Sequence, residues 1–165
     1  MPVPRMAIIY PSAKCNQNCG YCFYKKYNNG HVLEYDKHVQ ILNELWVLGT
    51  KSVEWCGLGD PLLMAHPAEV FESAKNIGFR FGMLTNGLLF NGTVMEKFID
   101  YGTYIRISLD TVNRELYEKI RGSDTLHIVL DNIKKALEYK KKKNSYPSFL
   151  EGGEKAWDEI IDTIS

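Results

Sequence analysis

Short apolar segments alternate along this chain with longer segments in which apolar residues recur every three or four positions. A short apolar run predicts a buried strand, and the longer spacing predicts an amphipathic helix. A glycine follows each of the first three helical segments, as is typical of helix ends. The predicted pairs of strand and helix are 6–10 with 35–48, 52–56 with 67–77, and 79–84 with 93–101.

Two of these helices carry a signal for their first residue. Pro67 suits the first position of a helix, where its missing amide proton costs nothing. Thr93 and Glu96 have the spacing of a capping box, in which a threonine and a glutamate cap the first turn of a helix. The sequence therefore predicts that the second helix begins at Pro67 and that the third begins near Thr93.

A fourth strand is predicted at 104–109, followed by helices at 113–120 and 126–142. Successive strand and helix units wind the same way, so the strands should be parallel and their carboxyl ends should share one edge. The fourth strand alternates apolar side chains with polar ones such as Arg106 and Ser108, which fits a barrel with a polar lumen. The predicted fold class is α/β, a partial (β/α) barrel with parallel strands, shortened to about four βα units.

The regular alternation stops after residue 143. This divides the chain into a partial-barrel domain, 1–143, and a tail, 144–165, that reads as a loop followed by an amphipathic helix at 154–164. We expect the apolar face of that helix to pack on the open edge of the sheet or on a second copy, giving a homo-oligomer. The face consists of Trp157, Ile160, Ile161 and Ile164.

Composition excludes several classes of function. Twenty basic and twenty acidic side chains cancel, so no net charge attracts nucleic acid or an anionic membrane surface. No stretch reaches the roughly 18 apolar residues of a membrane span, and no signal peptide is visible. We therefore expect a cytoplasmic protein without a membrane or nucleic-acid partner.

Three of the four cysteines, Cys15, Cys19 and Cys22, lie in one short segment. Disulfides are not expected, because the chain lacks an export signal and can bury an adequate core unaided. The spacing favours a four-iron, four-sulfur (4Fe-4S) cluster on three thiolates, which leaves one iron open to a ligand that is not protein. A zinc site completed by Cys56 is the alternative, although zinc ligands usually come in Cys-x2-Cys pairs. Otherwise Cys56 is interpreted as a packing residue.

Residues 15–22, Cys-Asn-Gln-Asn-Cys-Gly-Tyr-Cys, resemble the signature loop of the radical S-adenosylmethionine enzyme superfamily, including the aromatic Tyr21 before the last cysteine. The resemblance covers about residues 6–140. It implies that the open iron chelates the amino and carboxylate groups of S-adenosylmethionine. It also implies an oxidoreductase that cleaves S-adenosylmethionine reductively to a 5'-deoxyadenosyl radical, which abstracts hydrogen from a substrate.

A second likeness follows the second strand, where residues 57–63 resemble the Gly-Gly-Glu-Pro motif of that superfamily. The resemblance implies that Asp60 accepts a hydrogen bond from the amino group of S-adenosylmethionine, while the glycines let the backbone approach the ligand. An ordinary turn capped by aspartate is the alternative. Two further segments, at Asn86 and at Ser108, resemble the superfamily as well. The implied cofactor-binding residues are Tyr21, Gly57, Gly59, Asp60, Pro61, Asn86, Ser108 and Asp110.

The substrate is not named by the sequence, and neither is a residue that reacts with it. The resemblance implies a peptide, protein or small-metabolite substrate, and an electron donor such as flavodoxin or ferredoxin. The fifth and sixth strands usual in the superfamily are not found. An activase that installs a glycyl radical on a partner enzyme is one alternative, and a non-catalytic zinc or cluster domain used for interaction is another. Arg121 is interpreted as a cation at a helix end rather than as a clamp for a ligand carboxylate.

Overall fold

A computed structural model describes residues 4–143. Its four strands form a parallel sheet in the order β1-β2-β3-β4. The predicted α/β fold is confirmed, and the strands lie side by side in the order in which they occur in the sequence. The strands are β1 (Met6–Ile9), β2 (Ser52–Trp55), β3 (Arg80–Thr85) and β4 (Tyr104–Ile107). The α-helices are α1 (Tyr35–Val47), α2 (Pro67–Ile77), α3 (Gly92–Tyr101), α4 (Arg114–Arg121) and α5 (Leu126–Lys143).

Helix starts follow the local signals in part. Pro67 begins α2, as its missing amide proton predicts. The capping box at Thr93 is wrong, because α3 already begins at Gly92 and its cap residue, Asn91, makes no capping hydrogen bond with its side chain. The tail helix expected at 154–164 lies outside the described residues, so its docking stays a prediction. No helix within 4–143 has both the length and the apolar character needed to span a bilayer.

An aromatic core joins one face of the sheet to the helices. Trp55 of β2 and Phe81 of β3 are almost fully buried, and they pack on Phe71 of α2 and Phe98 of α3 with ring centroids 5.3 to 6.0 Å apart across the two layers. Each such ring removes a large apolar area from water and adds favourable edge-to-face contacts. This core holds the sheet against α2 and α3 and so positions the strands whose carboxyl ends form the site.

The other face of the sheet is the predicted polar lumen. Strand pairing brings Glu54, Gly82 and Tyr104 into one row across β2, β3 and β4. A side chain on Gly82 would collide with the ring of Tyr104, which crosses this glycine so that its hydroxyl donates to the carboxylate of Glu54. Arg106, one layer further on, is exposed. The polar alternation read from the sequence is therefore confirmed on β4.

His38 gives the core a dependence on pH. Its ring is fully buried on α1, where Nε2 accepts from Trp55 Nε1 at 2.9 Å and Nδ1 has no partner among the described residues. Burial lowers the pKa of His38 from 6.5 to about 4. The unfolded chain therefore binds a proton that the folded chain does not, between these two values. The contribution of His38 to stability is therefore fully present above the unfolded pKa of 6.5 and is lost as the pH falls from that value toward about 4.

We expect the free energy of unfolding to fall by about 2 kcal/mol between about pH 7 and about pH 5 because of this one group, at about 1.4 kcal/mol for each unit of pKa shift. Urea unfolding at several pH values measures the slope. His38→Gln keeps an acceptor for Trp55 but cannot titrate. Its pH dependence therefore reports the other groups, such as the carboxylates, and subtracting it from that of the parent leaves the contribution of His38. Parallel slopes for the two proteins would refute this assignment.

Candidate active site at the carboxyl ends of the strands

The three clustered cysteines and the ends of three strands line one cleft of about 390 Å³. The cysteines come from the loop after β1, and the other walls come from the segments that follow β2, β3 and β4. Parallel strands place their carboxyl ends at one edge of a sheet, which is why segments far apart in sequence meet here. Of the residues predicted from the sequence, the cleft is lined by Cys15, Cys19, Tyr21, Cys22, Gly57, Gly59, Asp60, Asn86 and Ser108.

The cysteine loop, residues 12–22, rests on the segment after β2. The amide of Gly59 donates to the carbonyl of Ser12 at 3.0 Å, and the amide of Asp60 donates to the carbonyl of Lys14 at 2.8 Å. A Cβ on Gly59 would lie 1.9 Å from the carbonyl oxygen of Lys14. The sequence favoured a glycine that lets the backbone approach a ligand, but the neighbour that demands glycine at this position is the cysteine loop itself.

The end of α4 supports the cysteine loop from another side. Gly20 donates its amide to the carbonyl of Ile120 at 3.1 Å, and Asn18 donates to the carbonyl of Arg121 at 3.3 Å. Gly122 has a positive φ of 70°, and a Cβ there would lie 2.7 Å from the carbonyl oxygen of Asn18. These contacts hold the middle of the loop by main-chain atoms, so they do not depend on the side chains involved.

Asp60 connects the ends of β2 and β3. Its side chain is buried, Oδ1 accepts from the amide of Leu62 at 3.0 Å, and Oδ2 accepts from the amide of Asn86 at 2.7 Å. The hydroxyl of Thr85 lies 3.0 and 2.9 Å from the two oxygens. Burial raises the pKa of Asp60, while these hydrogen bonds oppose the shift. Direct contact with an ammonium group stays a prediction, and the bonds that the carboxylate already makes hold two strand ends together.

Asn86 extends this connection to the cysteine loop. Its Nδ2 donates to Asn16 Oδ1 at 2.7 Å and lies 3.9 Å from Cys15 Sγ, while its Oδ1 accepts from the amide of Leu88 at 3.0 Å. A chain of hydrogen bonds therefore runs from Asp60 through Asn86 to the first cysteine. Burial raises the pKa of the Cys15 thiol, against the effect of a hydrogen bond from the backbone of Gln17.

Arg121 is the last residue of α4, the helix-end position that the sequence favoured, but its side chain does not lie in solvent. The residue is only 4% exposed, because the cysteine loop packs over the end of α4. Its Nη1 lies 3.7 Å from Cys19 Sγ, and its Nη2 donates to the carbonyl of Ser108 at 2.7 Å. Nη2 also lies 2.6 Å from Asp110 Oδ2. A guanidinium group therefore joins the second cysteine to the segment that follows β4.

Two predicted residues lie apart from the lining of the cleft, and a third lies at its rim. Pro61 begins a buried 3-10 helix (Pro61–Leu63) rather than facing the cleft. Asp110 is not among the lining residues, and it pairs with Arg121 instead. Tyr21 is 62% exposed at the rim, and its hydroxyl lies 3.4 Å from Asp110 Oδ2.

Sequence reasoning missed Gln17 and Tyr117. Gln17 Nε2 donates to the hydroxyl of Tyr117 at 2.7 Å, which ties the cysteine loop to a fully buried ring on α4. No spacing in the sequence relates these two residues, which lie 100 positions apart. A tyrosine on an amphipathic helix predicts packing, and only the tertiary fold places its hydroxyl beside the loop.

The donor set fits an iron-sulfur cluster better than a single metal ion. All four cysteines are free thiols, and no group of three or more His, Cys, Asp or Glu side chains within residues 4–143 converges on one ion. The ligands of zinc must meet at one point, whereas each thiolate of a four-iron cluster binds a different iron. The Nε–H of Arg121 is buried and has no acceptor among the described residues. It lies on the side chain that reaches Cys19, so an acceptor such as a cluster sulfur beside that cysteine fits this position. The four-thiolate zinc alternative finds no support in this geometry.

Comparison with known proteins agrees with the cysteine motif. Residues 9–164 match the sequence model of the Radical SAM superfamily. GTP 3',8-cyclase of Clostridium perfringens is 30% identical over 92% of this chain and 48% of its own length. A probable GTP 3',8-cyclase of Methanocaldococcus jannaschii is 32% identical over 76% of this chain and 43% of its own length. This chain thus spans about half the length of the curated relatives that it matches.

A solved structure shares the fold. SuiB of Streptococcus suis bound to precursor peptide SuiA superposes with a TM-score of 0.74 at 19% identity, over 96% of this chain and 36% of that chain. The same protein bound to S-adenosylmethionine gives a TM-score of 0.72. At this identity the likeness shows the fold, namely the parallel strands and helices that carry the cysteine loop.

Proposed function

Because this chain belongs to the radical SAM superfamily, we propose that it holds a 4Fe-4S cluster on Cys15, Cys19 and Cys22 and binds S-adenosylmethionine beside it. The observation that carries this proposal is the single cleft in which the three thiols meet the carboxyl ends of β2, β3 and β4. When bound, the reduced cluster supplies the electron that cleaves S-adenosylmethionine to a 5'-deoxyadenosyl radical.

The residues of the chain bind and orient these groups. The backbone of the cysteine loop is held by Gly59 on one side and by Ile120 on another, through hydrogen bonds that do not involve the cluster. Preorganised ligands lower the cost of binding and keep the reacting atoms in place. Asn86 and Arg121 lie beside Cys15 and Cys19, where their N–H groups can donate to sulfur.

We place S-adenosylmethionine along the strand ends, against the backbone at Gly57 and Gly59, the backbone at Tyr21, and Ser108. Asp60 and Asp110 belong to this site in a supporting role. The carboxylate of Asp60 accepts from Thr85 and Asn86, and that of Asp110 pairs with Arg121. These carboxylates, already bonded within the protein, hold the walls of the site in a fixed position for the cofactor.

The substrate is proposed to be a small molecule or a peptide that approaches from the polar face of the sheet. The relatives point to both classes, since two are named as GTP 3',8-cyclases and the SuiB structure holds a precursor peptide. The row formed by Glu54 and Tyr104 lies on that face. A one-electron protein donor of the flavodoxin or ferredoxin type would reduce the cluster.

Anaerobic reconstitution with iron and sulfide tests the proposal. We expect a brown protein that, with dithionite, converts S-adenosylmethionine to 5'-deoxyadenosine and methionine. A variant carrying Cys19→Ala, prepared alongside, is expected to form neither product, since the cluster supplies the electron. A colourless protein that retains zinc through the same procedure would contradict the proposal, and so would equal product from both proteins.

A further inference from the structure

We propose that Arg121 is a positioning residue that raises the reduction potential of the cluster by donating from its guanidinium to the sulfur of Cys19. The inference rests on the proposed function, because it requires a cluster on the three cysteines. It goes further by assigning a role to a residue outside the cysteine loop, one that the sequence favoured as a cation at a helix end.

The first support is the burial of a charge. Removing a guanidinium from water is costly unless its N–H groups find acceptors. Arg121 is 4% exposed, and its acceptors are Cys19 Sγ, the carbonyl of Ser108 and the carboxylate of Asp110. An arginine guanidinium is not deprotonated in proteins, so the group keeps its charge at this position. A permanent positive charge is thus held against one of the expected cluster ligands.

The second support is the direction of the electrostatic effect. Reduction adds one electron to the cluster, and therefore one negative charge. A fixed cation in a site of low dielectric constant stabilises the reduced state more than the oxidised state. Hydrogen bonds to the sulfurs act in the same direction, because they are stronger when sulfur carries more negative charge. Arg121 supplies both effects at Cys19 Sγ, 3.7 Å from its Nη1.

The third support is that the side chain is separable from the scaffold. The cysteine loop is tied to the end of α4 through the carbonyls of Ile120 and Arg121, which are main-chain atoms. Tyr117 and Gln17 add a further link that does not involve the guanidinium. A change confined to the side chain at position 121 therefore leaves these supports of the loop in place.

Asp110 sets the strength of the effect. Its carboxylate lies 2.6 Å from Nη2 of Arg121 and is 36% exposed, so it neutralises part of the cation from the solvent side. The hydroxyl of Tyr21 donates to the same carboxylate at 3.4 Å, and the Tyr21 ring lies 5.7 Å from the guanidinium carbon. Removing the negative charge of Asp110 should therefore expose the cluster to more of the positive charge of Arg121.

The test is a potentiometric titration of the reconstituted protein with dithionite, each cluster taking up one electron, followed by electron paramagnetic resonance. Arg121→Gln is expected to lower the equilibrium constant for reduction at least tenfold, a shift of about 59 mV to more negative potential. Arg114→Gln is the matched control. It removes the same charge from the same helix, but Arg114 is exposed and pairs with Asp124. Its potential should equal that of the parent protein.

Two further variants test the same effect if Arg121→Gln does not retain its cluster. Arg121→Lys retains the charge without the forked donors and should give a potential between those of the parent and Arg121→Gln. Asp110→Asn should shift the potential the opposite way, toward less negative values. If cluster-loaded Arg121→Gln or Asp110→Asn has the same potential as the parent, the role of Arg121 is refuted while the proposed function stands. A parent protein that binds no cluster overturns the proposed function instead.

Discussion

Alanine at any one of Cys15, Cys19 and Cys22 is expected to leave the reconstituted protein with little iron. The three thiols line one cleft, and each would bind a different iron of the cluster. Loss of a partner that only orients a metal ligand typically weakens metal binding about 10-fold to 100-fold, so loss of a ligand itself should cost at least as much. Iron and sulfide content after anaerobic desalting, together with visible absorption, measures the effect.

Cys56→Ala is the matched control, because it removes a thiol from the wall of the same cleft. Cys56 follows β2 and lies outside the loop that carries the other three cysteines. This variant should keep the iron content of the parent. Equal losses in all four variants would show that Cys56 is a ligand and would restore the four-thiolate alternative.

Gly59→Ala is expected to destabilise the fold by about 3 kcal/mol and to disrupt the cysteine loop at the same time. The added Cβ would meet the carbonyl of Lys14 at 1.9 Å, and backbone cannot swing aside as a flexible side chain can. Separating the two segments also weakens the bonds from Gly59 to Ser12 and from Asp60 to Lys14, each worth about 1 kcal/mol. Urea unfolding and iron content measure the two effects.

Gly20→Ala is the control for this change within the cysteine loop. Neither Gly20 nor Gly59 has a positive φ, so backbone conformation does not distinguish them. A Cβ on Gly20 would meet nothing within 4 Å. We expect this variant to unfold and to bind iron as the parent does. A Gly59→Ala protein of unchanged stability would mean that the two segments do not lie as close as the structure has them.

Secondary structure was largely predictable because this chain obeys simple local rules. The helix at 67–77 was predicted with both ends correct, since Pro67 and Gly78 mark them chemically. The predicted capping box at Thr93 failed because its two residues lie inside α3, which begins at Gly92. A spacing of three residues recurs by chance on any helix, whereas a proline or a terminal glycine constrains the backbone directly.

Asp60 and Arg121 show where local reasoning ends. Both are charged residues beside glycines, and such residues usually cap turns or helix ends in solvent. Here the cysteine loop packs over the segments that contain them and removes their side chains from water. Once buried, each side chain takes partners from distant segments, namely Thr85 and Asn86 for the aspartate and Cys19 and Asp110 for the arginine.

The sequence by itself determined the parallel strand and helix units and the cysteine spacing of a radical SAM enzyme, because hydrophobic period and ligand spacing are local properties. It also predicted the polar face of β4. Only the tertiary structure decided what surrounds the thiols. The bond from Asn86 to the first cysteine, the guanidinium against the second, and the link from Gln17 to Tyr117 join residues 71 to 102 positions apart. Contacts of that range depend on how the strands align, and no local pattern encodes them.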